Sequence, residues 1–198
     1  MGKTRSKRVS RSETARVFSG TDLVSGDGML TTVWGPSLWH VLHTMSFNYP
    51  IEPSKEQRDH YRAFMLNLVN VLPCKYCREN LKKNFKQMPL RAADMKSRQT
   101  FSLYVYNLHE LVNKMLKKKS GLTYEDVRER YEHFRARCTM DDPKVKMEAK
   151  GCTEPLYGKK AKGVIHIIPQ DVKCDTIQIN PECLKRRTCT INPLSNTK

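Results

Sequence analysis

The chain predicts an all-α core, a four-helix bundle with a short fifth helix, followed by a small irregular or β-hairpin C-terminal extension. Three observations carry this. Between residues 33 and 138, apolar residues recur at i, i+3 and i+4 through five successive segments. Helix-capping residues stand ahead of several of them, and proline or glycine marks their boundaries. Three regions follow: a basic arm over residues 1–30, a helical domain over 31–140 and a cysteine-containing extension over 141–198.

The first helix is expected to begin at Pro36, whose fixed φ suits a first turn. Leu38, Trp39, Leu42, Met45 and Tyr49 follow at helical spacing, with His40 and His43 on the neighbouring stripe, and Pro50 and Pro53 end it. Ser54 and Gln57 form a capping-box pattern ahead of a second helix. Tyr61, Phe64, Met65, Leu68, Val69 and Leu72 make its apolar face as far as Pro73. A third helix is expected from Cys74 through Leu81 and Phe85, stopping before Pro89. After a cap at Ser97, Phe101, Tyr104, Val105, Leu108, Leu111, Val112, Met115 and Leu116 mark a long fourth helix. Lys117, Lys118 and Lys119 suit its negative end, and Gly121 is expected to stop it. Thr123 caps a fifth helix with Val127, Tyr131 and Phe134 on one side. Beyond Cys138 the periodicity is lost; residues 163–168 and 174–179 are β-branched runs, each a candidate strand and together a candidate hairpin.

The formal net charge is +16, which suggests an acidic partner, a membrane surface or nucleic acid. The excess is spread over several segments and forms no single stripe, which argues against nucleic-acid binding as a main function. No apolar run reaches the roughly 20 residues of a transmembrane helix, and no apolar stretch follows the basic N-terminus as a secretory signal requires. Six basic side chains in the first sixteen residues mark a disordered arm. Met1 to Ser6 fits the minimal myristoylation pattern, with the basic cluster as a second membrane signal. The same Arg- and Ser-rich start also fits a mitochondrial transit peptide.

Seven cysteines are present, an odd number. Two of them, in Pro73-Cys74-Lys75-Tyr76-Cys77, lie one turn apart at the expected N-terminus of the third helix. Unpaired N–H groups and the helix dipole favour a thiolate there, and Lys75 and Arg78 act in the same sense. Three readings compete. One is a structural zinc site completed by His40 and His43, in a non-catalytic module that binds nucleic acid through its basic tails. A second is a thioredoxin-like dithiol, but that motif follows a strand and the flanks here are helical. The third is a dithiol beside a redox cofactor, which needs an aromatic, histidine-bearing pocket. Trp39 and His43 at i, i+4 share one helix face, and His109 with Asn113 repeats that spacing on an otherwise apolar helix. Buried polar groups need partners, and a bound cofactor would provide them.

The run from Trp34-Gly35 through Trp39 to His43, then Tyr49-Pro50, the Pro-Cys-x-x-Cys motif and His109-x-x-Val112-Asn113-x-x-Leu116-Lys117, in this order, resembles the Erv/ALR sulfhydryl oxidases. It is most similar to the versions encoded by large cytoplasmic DNA viruses. The resemblance covers about residues 33–138. It departs at Glu110, where the family usually has Asn, and at Tyr124, near where cellular members place the first of a structural cysteine pair. Cys138 keeps the second position, and the resemblance makes Cys152 its nearest candidate partner.

The resemblance implies a flavin-linked thiol oxidase that uses FAD and molecular oxygen and releases hydrogen peroxide. Its partners would be thiol-containing protein clients or a thioredoxin-like relay protein. Cys74 would exchange with substrate through a mixed disulfide, and Cys77 would face the flavin as the charge-transfer thiolate. Trp34, Gly35, Trp39, His43, His109, Val112, Asn113, Lys117 and Tyr124 would form the cofactor pocket, with no metal. Trp39 and His43 would pack on the ring system, His109 and Asn113 would hold the adenosine end, and Lys117 would reach a phosphate. A homodimer built from the first helices is also implied, in host cytoplasm or a virion for a viral chain and otherwise in the mitochondrial intermembrane space. Cys174, Cys183 and Cys189 are candidates for a mobile relay pair or for a disulfide that pins the tail.

Overall fold

The computed structural model describes residues 20–26, 28–137, 154–156, 160–169, 171–173 and 177–184. A four-residue helix α1 (Gly20–Leu23) precedes the bundle. The bundle consists of α2 (Thr31–Phe47), α3 (Lys55–Val71), α4 (Lys75–Gln87), α5 (Arg98–Met115) and the short α6 (Tyr124–Glu132), with a 3₁₀ turn at Ala92–Met95 before α5. The all-α expectation therefore holds.

Local chemistry explains most of the helix starts. At α3 the Ser54 hydroxyl accepts from the Gln57 N–H at 3.1 Å, while the Ser54 N–H donates to the Gln57 side chain at 2.9 Å. The same reciprocal arrangement joins Ser97 to Thr100 at α5 and Thr123 to Asp126 at α6. Two ends differ from the sequence reading. α2 begins at Thr31, ahead of Pro36, which lies inside the helix. Thr31 to Val33 are exposed and so left no apolar periodicity to read. α5 is stopped by Lys117 and not by Gly121. Lys117 takes φ +55°, its N–H bonds to the Lys114 carbonyl at 3.1 Å, and the Lys118 N–H bonds to Asn113 at 2.8 Å. This is the Schellman pattern, with lysine in the left-handed position that glycine usually fills.

The main core lies among α2 to α5 and includes Leu42, Tyr49, Met65, Leu68, Leu81, Met95, Phe101, Tyr104, Val105 and Leu108. α2 packs on α5 and α6, α3 on α4, and α4 on α5. A smaller cluster of Phe47, Val127 and Tyr131 forms under α6. Phe64, Met115 and Leu116, assigned to apolar faces by spacing, are exposed. Tyr49 is fully buried between Tyr61 and Phe101, each with its ring centre 4.8 Å away. Its hydroxyl donates to the Met95 carbonyl at 2.9 Å. The carbonyls that α2 and its following turn leave free accept from arginines: Tyr49 from Arg98 and Phe47 from Arg135, both at 2.6 Å.

Past α6, β1 (Ala136–Arg137) pairs antiparallel with β2 (Glu154–Pro155), Ala136 opposite Pro155. The run 163–168 joins no strand among the described residues, and Val164, Ile165 and Ile167 are exposed. The other candidate strand, 174–179, lies partly outside the described residues, and so do Cys138, Cys152, Cys174, Cys189 and the first nineteen residues. No helix among those described is long and apolar enough to cross a membrane.

Tyr49→Phe keeps the packing but leaves the buried Met95 carbonyl without its donor. It should lower the urea midpoint by the equivalent of about 1–2 kcal/mol with an unchanged m-value; an unchanged midpoint would show the bond contributes nothing net.

Candidate functional site

Two imidazoles meet where α2 crosses α5. His43 Nε2 and His109 Nδ1 are 3.0 Å apart, so one nitrogen carries the hydrogen and the other accepts it. The Trp39 ring lies flat on His109, with ring centres 4.0 Å apart and planes 6° from parallel. Burial lowers the His43 pKa to about 3, with help from His109 and His40. Burial also lowers His109 to about 4, while Glu110 acts in the opposite direction and Lys118 in the same one. Both rings are therefore neutral at physiological pH. His43 Nδ1 is buried with no hydrogen-bond partner in the protein, a free polar atom beside a flat aromatic surface.

The dithiol stands at the start of α4. Cys74 is the N-cap, and its Sγ accepts from the Cys77 N–H at 3.2 Å. Cys74 and Cys77 are both free thiols and half-buried. At Cys74 burial works against ionisation, but hydrogen bonds from Cys77, Thr31 and the backbone outweigh it and the thiol pKa is lowered. Cys77 goes the other way, raised by burial and by its hydrogen bond to Cys74. Of the two sulfurs, Cys74 is thus the more readily ionised. Arg78, expected to act on the sulfurs, instead donates to the Leu72 carbonyl at 2.5 Å.

A third part is an open cavity of about 740 Å³ at the C-terminal end of α5, lined by Lys114, Lys117, Lys118 and Lys119 together with Glu110, Tyr106 and Tyr124. Tyr124 is held by a 2.9 Å hydrogen bond to Ser102, and Tyr106 donates to the Leu122 carbonyl at 2.8 Å. Four lysines around one cavity favour an anionic, phosphate-bearing ligand. The left-handed backbone of Lys117 at this cavity is a conformation a non-glycine residue adopts at a cost.

The residues expected to form the site thus fall into three parts. Trp39, His43 and His109 are brought together, Cys74 and Cys77 form the dithiol, and Lys117 and Tyr124 line the cavity. Asn113 donates to Glu110 at 2.9 Å, so the glutamate that departs from the expected pattern engages the asparagine expected to hold a ligand. Trp34 is half-buried and donates from its indole nitrogen to the Met29 carbonyl at 3.0 Å. Gly35 lies within α2, where an added Cβ would meet the Thr31 side chain at 3.4 Å. Val112 is half-buried on α5.

His40 turns to the Tyr131 hydroxyl at 3.3 Å and does not join the cysteines. Among the described residues no three His, Cys, Asp or Glu side chains converge to hold a metal ion. Sequence reasoning missed Thr31, Ser102, Lys114, Lys118 and Lys119. The consecutive lysines were visible, but were explained as complements to the helix dipole.

Comparison with known proteins bears on this arrangement. A family model described as the Erv1 / Alr family matches residues 36–147, more than half of the chain. The chain is 34% identical over 84 residues to the FAD-linked sulfhydryl oxidase ERV1 of Oryza sativa subsp. japonica, covering 42% of each protein. It is 32% identical over 99 residues to the probable FAD-linked sulfhydryl oxidase R368 of Acanthamoeba polyphaga mimivirus, covering 50% of this chain and 68% of that one. The crystal structure of the yeast Erv1 core aligns with a TM-score of 0.47 at 22% identity, covering 62% of this chain and 96% of that one. The match thus spans less than half of the rice relative.

The buried histidines make stability depend on pH. Unfolded, each ring protonates near pH 6.5; folded, each resists protonation until about pH 4 or 3. The unfolded chain binds more protons between those limits, so stability is lost as pH falls below about 6.5. His43→Gln should remove roughly 2 kcal/mol of the fall in urea stability between pH 7.5 and pH 5. Parallel curves for the two proteins would contradict the buried neutral state.

Proposed function

The chain belongs to the Erv1/Alr family, and from that premise we propose that it is an FAD-dependent thiol oxidase that forms disulfide bonds in client or relay proteins, uses molecular oxygen as the final acceptor and yields hydrogen peroxide. One observation carries the reading. A free Cys74–Cys77 pair meets, through Thr31, the helix that also sets Trp39 and His43 against His109. No other reading uses all of these groups.

The residues present fit FAD. Trp39 and His109 offer a flat stacked surface for a ring system, and His43 Nδ1 is a buried polar atom with no partner in the protein. The lysine-lined cavity suits a pyrophosphate, with Lys117 and Tyr124 at its wall. Asn113, paired with Glu110, stands for the adenosine end. When bound, FAD supplies a two-electron acceptor for the reduced dithiol and a route for those electrons to oxygen.

The chain's own chemistry is thiol–disulfide exchange. A substrate thiolate attacks the Cys74 sulfur of an oxidised pair, the S–S bond breaks and Cys77 leaves as a thiolate. A second substrate thiolate then attacks its own sulfur in the mixed disulfide and releases Cys74, held low in pKa and so a good leaving group. The substrate has lost two electrons and the pair has gained them. Burial keeps His43 and His109 neutral, so that surface is uncharged and suits a neutral ring. The homodimer belongs to the same reading, supported by exposed apolar side chains on the first helices, Val33, Val41, Phe64 and Val71.

Two tests follow. Cys77→Ser should lower oxygen-consuming turnover of a reduced dithiol by at least about a hundredfold; intact turnover would leave only a scaffold that resembles the oxidases. Lys117→Gly should relieve the left-handed strain, raising stability by about 1 kcal/mol, while FAD is retained more weakly. Equal FAD retention would remove Lys117 from the cofactor site.

A further inference from the structure

We propose that Thr31 is a positioning residue for the dithiol, its hydroxyl donating a hydrogen bond that holds negative charge on the Cys77 sulfur. The inference rests on the oxidase reading for its consequence, because the sulfur that must carry charge beside the cofactor is Cys77. Its structural basis is independent of that reading.

Thr31 is the first residue of α2, and its Oγ1 lies 3.6 Å from Cys77 Sγ, within range of a hydrogen bond to sulfur. A thiolate has no hydrogen to give, so in that state the hydroxyl is the donor. Thr31 also bears on Cys74, so one hydroxyl addresses both sulfurs of the pair.

The position of Thr31 is imposed from both sides. On one side the chain before it forms a strap across the dithiol. Gly28 makes an antiparallel bridge with Cys74, and the Met29 N–H donates to the Pro73 carbonyl at 2.7 Å. The strap needs glycine: Gly28 has φ +117°, and an added Cβ would lie 2.4 Å from the Pro73 carbonyl oxygen. On the other side Trp34, one turn further along α2, donates its indole N–H back to the Met29 carbonyl. Thr31 sits between these two anchors.

The groups around Cys77 leave this donor a role. Burial and the neighbouring Cys74 both oppose its ionisation, whereas the Thr31 hydroxyl favours it. On α4 itself, Lys75 is exposed and the Arg78 guanidinium is committed to the Leu72 carbonyl. From α2 the sulfur meets the neutral hydroxyl of Thr31. The Leu30 position that caps α2 contributes no side-chain acceptor to compete for it.

Site-resolved alkylation of the full chain tests this. The reduced protein and its Thr31→Val and Thr31→Ser variants are treated with iodoacetamide across pH 6–10, and each cysteine is followed by mass spectrometry. Cleavage after Lys75 and Arg78 puts Cys74 and Cys77 on separate peptides. Thr31→Val, which keeps the shape of an exposed side chain, should slow Cys77 alkylation at neutral pH by about threefold to tenfold and move its midpoint upward; Thr31→Ser should restore both. An unchanged Cys77 profile in Thr31→Val, or the same shift in Thr31→Ser, overturns the proposal. The readout needs no flavin, so a protein that binds no FAD would sink the oxidase reading while this result still stood.

Discussion

A hydrogen bond between two uncharged imidazoles, one buried and one half-buried, ties α2 to α5. His43 and His109 lie 3.0 Å apart at the crossing of α2 and α5, with Trp39 stacked over the second ring. Hydrogens on both facing nitrogens would set two N–H groups head to head, so the contact requires that one of those nitrogens stay unprotonated. α-Helices are rigid over this length, so each carries its ends a set distance from this contact. Twelve residues before His43, about 18 Å along the axis, α2 delivers Thr31 to the dithiol. Six residues after His109, about 9 Å on, α5 ends at Met115, and Lys117 just beyond it lies on the lysine-lined cavity. From this pair α2 leads to the sulfurs and α5 to the cationic cavity.

Charge is organised on the same plan. The excess of 16 positive charges looks diffuse along the chain, yet folding the end of α5 back on itself gathers Lys114, Lys117, Lys118 and Lys119 around one cavity. Glu110 is the acidic member of that wall, and it is engaged by Asn113. At the dithiol the device is different: burial and the bond between the sulfurs hinder ionisation of Cys77, hydrogen bonds ease that of Cys74, and the Thr31 hydroxyl favours the charged form of both. The difference comes from burial and from the hydrogen bonds at each sulfur, while the Arg78 guanidinium is engaged by the Leu72 carbonyl.

What was legible in the sequence follows from the range of the forces involved. Capping boxes at Ser54, Ser97 and Thr123 are contacts over three residues, and each helix began where its cap stood. The start of α4 at Cys74 was readable for the same reason. Residues that met across the bundle, Trp39, His43 and His109, were legible because polar side chains on apolar stripes demand an explanation. The start of α2 was not, since Thr31 to Val33 face solvent and are tied down by chain far away in sequence. Lys117 was misread because local rules give the left-handed cap to glycine, and only the fold puts a lysine there. Thr31 carries no motif at all, and it became visible only once α4 lay beside it. In the tail, β-branched residues 163–168 have strand composition but join no strand among the described residues, while Ala136 and Arg137, without it, are paired by Glu154 and Pro155.

The central claim, that the dithiol and the aromatic surface serve one flavin-linked oxidation, is tested most directly by the visible absorbance of the purified full chain before and after a dithiol is added in air. A flavin spectrum should bleach with the dithiol and return once the dithiol is spent, with oxygen consumed in step. A colourless protein that retains no added FAD and leaves the dithiol unoxidised would contradict it.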